Sequence, residues 1–218
     1  TYTIIVPYSA GGSTDNFVRA LAGPLKKALG TNVIVRNIAG GGGAVGTMIT
    51  LAHPADGYTV TITSNALYTL QGLGTIKFKT SDFEHIARIA TEPYVLAVRN
   101  NNRWNNLANF IQYAQKESVT IGYAGVGSST HIMAEAISQE LGINAKLIPY
   151  DGGAAAVAAT LGGHIDGVVL TPAGIASGVD SGMLSAIGIT GASKQLPNVP
   201  FFTELGFAID TLQWRGIA

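Results

Sequence analysis

Apolar positions along this chain follow two periods. Short runs of β-branched and aliphatic residues recur at 2–6, 32–36, 58–63, 94–98, 119–123, 146–149, 165–170 and 184–190, and each reads as a strand. Between them the spacing lengthens to that of a helix. Phe17, Leu21, Leu25 and Leu29 fall on every fourth position, Leu107, Phe110, Ile111 and Ala114 form an i, i+3, i+4, i+7 stripe, and Met133, Ile137 and Leu141 mark a third face. Gly30 and Gly142 stand where two of these helices should stop. Further helices are expected between the Ala39–Gly43 run and Pro54, and over the Ala-rich stretch 152–161. Strands alternating with helices of this length predict an α/β fold with mostly parallel sheets.

The pattern restarts half-way. Ile5-Val6-Pro7-Tyr8-Ser9-Ala10-Gly11-Gly12-Ser13-Thr14 and Ile121-Gly122-Tyr123-Ala124-Gly125-Val126-Gly127-Ser128-Ser129-Thr130 share one layout: strand, Gly/Ser-rich loop, helix. Two α/β lobes are expected, the first from 1–98 plus 213–218 and the second from 99–212. The border is placed near Arg99–Arg103, where Asn100, Asn101 and Asn102 interrupt the pattern.

Composition narrows the partners. With 47% hydrophobic and 12% charged residues among 218, the chain has ample material for a core. Thirteen basic residues balance thirteen acidic ones, leaving no basic stripe for nucleic acid. The apolar runs are strand-sized, well short of the roughly 20 residues of a membrane-spanning helix, so direct membrane insertion is not expected. Cysteine is absent, which removes disulfides and thiolate chemistry. His53, His85, His131 and His164 are too scattered to suggest a metal site. No cofactor is expected.

Both Gly/Ser loops run into a helix, whose first backbone N–H groups lack partners and carry partial positive charge, so such an end can hold an anion without Lys or Arg. Ser13 or Thr14 could equally cap an ordinary helix. Asp15 reads as a first-turn partner of the dipole or of Arg19, because a carboxylate there would repel an anion. Tyr150-Asp151-Gly152-Gly153 forms a third loop aimed the same way, and Thr63, Ser64, Asn65, Thr171 and Pro172 complete a rim at the carboxyl ends of strands, where open α/β sheets bind ligands. Gly41-Gly42-Gly43-Ala44-Val45-Gly46 matches the dinucleotide pattern G-x-G-x-x-G, which raises an alternative: a doubly wound enzyme acting on a nucleotide or small phosphorylated substrate. Against it, the following strand ends at Thr63-Ser64-Asn65 with no acidic residue for a ribose. Ser128 and Ser129 near His131 do not form a G-x-S-x-G elbow. No catalytic residue is assigned.

Several ordered motifs together resemble one family. Val6-Pro7-Tyr8-Ser9-Ala10-Gly11-Gly12-Ser13-Thr14-Asp15, Pro54-Ala55-Asp56-Gly57-Tyr58-Thr59, Gly125-Val126-Gly127-Ser128-Ser129-Thr130-His131, Pro149-Tyr150-Asp151-Gly152, Gly162-Gly163-His164-Ile165-Asp166 and Leu196-Pro197-Asn198-Val199-Pro200 are similar to motifs of the solute receptors of tripartite tricarboxylate transporters, the Bug-type receptors. Ala10 replaces a usual Pro, and Ala39 replaces another. The resemblance implies a two-lobed, periplasmic-binding-protein-like fold of type II kind, with the ligand cleft between lobes. It implies a monomeric periplasmic receptor, mature after signal-peptide removal, that binds a di- or tricarboxylate or another organic acid and passes it to membrane transporter subunits. Carried onto this chain, the ligand-binding positions are Tyr8, Ser9, Gly11, Gly12, Ser13, Thr14, Ser64, Asn65, Ser128, Ser129, Thr130, Tyr150 and Thr171. Asp166 matches a motif residue but reads as structural. In the family the chain continues past a Trp-x-Gly motif like Trp214-Arg215-Gly216 into helices that return to the first lobe, and the present sequence ends at Ala218.

Overall fold

The computed structural model describes residues 1–74, 76–100, 103–104 and 106–218. Asn101 and Asn102, part of the expected border, lie outside the described residues.

The strands divide into two five-stranded sheets. In the first, β1 (Tyr2–Val6) pairs in parallel with β2 (Val33–Asn37) and β3 (Thr59–Ser64), and β10 (Leu212–Ile217) runs antiparallel between β3 and β4 (Ala87–Pro93), giving the order β2-β1-β3-β10-β4. The second repeats this plan. There β6 (Val119–Tyr123) pairs in parallel with β7 (Ala145–Pro149) and β8 (Gly167–Leu170), while β5 (Val95–Arg99) runs antiparallel between β8 and β9 (Leu184–Ile189). Each sheet therefore has one strand opposed to the other four. The chain is a two-lobed α/β protein with mixed sheets flanked by helices.

Strand pairing shifts the expected border. Val95–Arg99 belongs to the second sheet, so the chain changes lobe at Tyr94, several residues before the polar Asn run. The reason is that β4 and β5 are nearly continuous in sequence, and a change of sheet within extended backbone leaves no composition mark. The chain returns after β9 to build β10. The two passages meet at Thr190, whose hydroxyl accepts from the Tyr94 N–H at 3.0 Å and donates to the Thr211 carbonyl at 2.7 Å.

Helices α1 (Ser13–Leu29), α2 (Ala44–Leu51) and α3 (Ala66–Gly72) belong to the first lobe, and α4 (Leu107–Ala114), α5 (Ser129–Glu140), α6 (Gly153–Leu161) and α7 (Pro172–Asp180) to the second. Helix α1 stops as expected at Gly30, in the left-handed conformation with φ 62°. Its Phe17, Leu21 and Leu25 pack on Ile4, Val6, Val18, Val60 and Ile62, whereas Leu29 is exposed. In the second lobe both sheet faces are covered. Leu96, Phe110, Ile121 and Ile137 form one layer, and Val95, Val157, Val168 and Ile175 the other. Each buried aliphatic side chain contributes about 1.5–3 kcal/mol relative to exposure, so these layers fix the loops at the sheet ends.

Candidate functional site

The loops after β1, β6 and β7 come together between the lobes around a narrow, partly open cleft of about 30 Å³. Gly12, Ser13 and Thr14 at the start of α1 form one wall and Ser128, Ser129 and Thr130 at the start of α5 the opposite one. Tyr8, Gly153 at the start of α6, Ala124, Leu170 and Gln213 complete the lining. Three helix N-termini thus converge, and the lining carries no formally charged side chain.

The two principal helix ends are built differently. Helix α1 begins after Gly12, and no side chain caps it. Its first turn is held from outside the cavity by Asp15, whose Oδ2 accepts from the Gly11 N–H at 2.8 Å and Arg19 Nε at 2.9 Å, and whose Oδ1 accepts from Asn37 Nδ2 at 3.0 Å. Burial raises the Asp15 pKa, but these bonds outweigh it and hold the carboxyl below its ordinary value. Asp15 is thus turned to Arg19, as the sequence suggested, and away from the lining. Helix α5 carries its own cap: Ser128 Oγ accepts from the His131 N–H at 3.2 Å and lies 2.9 Å from Thr130 Oγ1, which in turn accepts from the Ala124 N–H at 3.0 Å. His131 accepts from the Gly127 N–H through Nδ1 and stacks on Tyr123 at 4.5 Å.

The other expected positions lie outside this lining. Gly11 has its N–H engaged by Asp15. Ser9 faces Gly152 across the lobe boundary, where a β-carbon at 152 would stand 2.2 Å from Ser9 Oγ. Ser64 lines a second, smaller space of about 10 Å³ behind Tyr8. Asn65 serves the return strand, its Oδ1 accepting from the Trp214 N–H at 2.9 Å. Tyr150 packs beside Gly122, and Thr171 is buried at the start of α7 with no hydrogen bond to its hydroxyl. Asp166 accepts from the Thr120 N–H and hydroxyl and ties β8 to β6, a structural role as read.

The run Gly41–Gly46 is occupied by packing. Gly42 meets the Val126 backbone of the opposite lobe, and Gly46 lies so close to Ile38 and Pro7 that a β-carbon there would stand 2.7 Å from the Ile38 carbonyl oxygen. These glycines let backbones touch, which leaves no cradle there for a pyrophosphate.

Sequence reasoning missed Gln213, Tyr94 and Arg215. Gln213 lines the cavity. Burial pushes the Tyr94 hydroxyl up to about 12, although Ser129 bonds to it and Arg215 lies near. Burial likewise raises Tyr8, against the pull of Ser64 and Arg215. Arg215 is 1% exposed. It pairs with Glu92 and donates from Nη2 to Ser13 Oγ at 2.9 Å. Among the described residues no group of three His, Cys, Asp or Glu could hold a metal ion, and no helix is long and apolar enough to cross a membrane.

Comparison with known proteins decides the family. The model of the tripartite tricarboxylate transporter family receptor matches residues 17–218. The chain belongs to this receptor family. BugT of Bordetella pertussis is 32% identical over 212 residues, covering 94% of this chain, which spans 65% of BugT. The structure of the periplasmic binding protein BugD superposes with a TM-score of 0.89 at 27% identity, covering 99% of this chain and 75% of BugD. MatC from Rhodopseudomonas palustris with bound malate has a TM-score of 0.91 at 22% identity over 100% of this chain and 76% of that one, a likeness of fold. BugD is a periplasmic binding protein, and the fold of this chain matches it.

Proposed function

We propose that this chain captures a small organic acid between its lobes, as the receptor of a membrane transport system. The observation that carries the reading is the convergence of the α1, α5 and α6 N-termini on one interlobe cavity without a carboxylate in its lining. Such an arrangement attracts an anion through backbone N–H groups and aligned dipoles, and a carboxylate is the anion that membership in a tricarboxylate receptor family favours. Gly12, Ser13, Thr14 and Ser128–Thr130 are the proposed contacts, with Tyr8 and Gln213 beside them. The cleft is narrow, about 30 Å³, so capture of an acid has the lobes part and close again, turning at the crossings beside Thr190. The same reading makes the chain a monomeric, periplasmic carrier without chemistry of its own, acting after removal of a signal peptide and handing its acid to transporter subunits.

A thermal-shift panel of succinate, glutarate, citrate and benzoate, with AMP and NAD as contrast, tests it. A ligand at about 100 times its dissociation constant adds roughly 2.7 kcal/mol, or roughly 5–10 °C for a chain of this size. A shift with one acid and none with nucleotides is expected. Nucleotide response with silence across the acids would overturn the reading.

A further inference from the structure

Arg215 heads the fully buried side chains by volume, and the capture scheme above does not use it. It stands two residues from Gln213 on β10, so both side chains rise on the same face of the sheet toward the α1 end of the cavity. Its guanidinium is held by Glu92 on β4 and lies 5.7 Å from the Phe17 ring. As an ion pair it is incompletely satisfied, because Arg215 Nε and Glu92 Oε2 are buried with no hydrogen-bond partner. A pair left with two unmet polar atoms is poorly built for stability alone.

The chemistry of its third contact is directional. Arginine has only donors, so Ser13 Oγ must accept from Nη2. A hydroxyl that accepts still has one proton to give, and Ser13 finds no acceptor for it among the described residues. Ser13 forms part of the cavity wall at the uncapped end of α1. We propose that Arg215 is a positioning residue that sets the charge selectivity of the cleft, fixing Ser13 as a donor toward a ligand carboxylate and adding positive charge behind it. Glu92 is the counter-charge that anchors the guanidinium and moderates its field. The proposal rests on the carboxylate-capture reading.

It makes the two partners act with opposite sign. Neutralising Glu92 leaves the guanidinium uncompensated and favours an anion in the cleft, whereas neutralising Arg215 leaves the Glu92 carboxylate and disfavours it. A structural pair would give losses of the same sign. The test is isothermal titration of the full chain with the panel acid that gives the largest thermal shift, and with the amide of that acid. Ser13→Ala is expected to weaken the acid by about tenfold and the amide by less, since a hydrogen bond to a charged group is the stronger one. Glu92→Gln should hold or tighten acid binding, while Arg215→Gln should weaken it at least tenfold and erase the preference for acid over amide. If Arg215→Gln fails to fold, the double variant E92Q/R215Q, in which neither charge is left unpaired, should lose the same preference as Ser13→Ala. An unmoved acid-to-amide ratio in Ser13→Ala and the double variant, with the unsubstituted chain still binding the acid, would overturn this inference alone. No acid binding by the unsubstituted chain would overturn the capture reading along with it.

Discussion

A β-carbon built on Gly42 would stand 2.1 Å from the Val126 carbonyl oxygen of the opposite lobe. Gly42 also has φ 64°, a conformation costly to residues with side chains. Backbone meets backbone there, so neither partner can swing aside. Gly42→Ala is expected to leave each lobe folded, cost about 1–2 kcal/mol in unfolding free energy, and wedge the lobes apart. Small-angle scattering should show a larger radius of gyration, and acid affinity should fall at least about tenfold, a loss near 1.4 kcal/mol. An unchanged radius and affinity would remove this contact from the closing of the cleft.

Ser128 joins two roles that a single substitution separates. Its side chain caps α5 and also lines the cavity. Aspartate caps as well as serine, so Ser128→Asp should keep the fold, although burying a carboxylate at a position 1% exposed should cost at least about 1 kcal/mol. The carboxylate it places in the wall repels a bound acid, and calorimetric titration should show binding abolished. Ser128→Ala should instead keep most of the affinity while losing about 1 kcal/mol of stability. Acid binding retained by Ser128→Asp would take this wall out of the site.

Asp15 makes stability depend on acid. Its pKa lies below the ordinary value, so its contribution is complete above the unfolded-chain value of about 3.9 and disappears as pH falls through the lower folded one. Asp15→Asn is therefore expected to be less stable at pH 7, with the gap narrowing below about pH 4. Urea unfolding across pH 7 to pH 2.5 measures it. A gap that stays constant with pH would show that the carboxylate charge plays no part.

At the crossings, Thr190→Val keeps the side-chain shape but leaves the Tyr94 N–H and Thr211 carbonyl without the hydroxyl, a cost of about 1–3 kcal/mol. Thr190→Ser should restore most of it. Hydrogen exchange at the Tyr94 amide should accelerate in the valine variant alone; equal protection in all three would mean the hydroxyl does not bind the passages together.

What the sequence disclosed follows from which forces act locally. Strands such as β1 and β6 were legible because apolar runs are needed wherever a sheet is buried on both faces. Strand β4 was not, since Arg88, Thr91 and Glu92 interrupt it and most of it is exposed. In β10 the run is broken by Gln213 and Arg215, whose burial depends on partners far off; Ser13 and Arg215 are 202 positions apart. The loops of the site were legible because glycine and serine at a strand-to-helix junction mark an exposed helix end. Their floor was hidden for the same reason as β10. Nothing near Gln213 or Arg215 in sequence indicates that a polar side chain there faces a cleft.

The way the sheets share the chain also orders its assembly. All five strands of the second sheet lie within residues 95–189, so that lobe is one uninterrupted stretch. The first sheet needs residues 212–217 between β3 and β4. Where the chain emerges N-terminal end first, the first lobe begins to form before the second yet completes its sheet after it, with the β3 edge unpaired in between. The first of the two lobes to emerge therefore has the longer exposure to wrong partners, and anything that delays the arrival of β10 would prolong it.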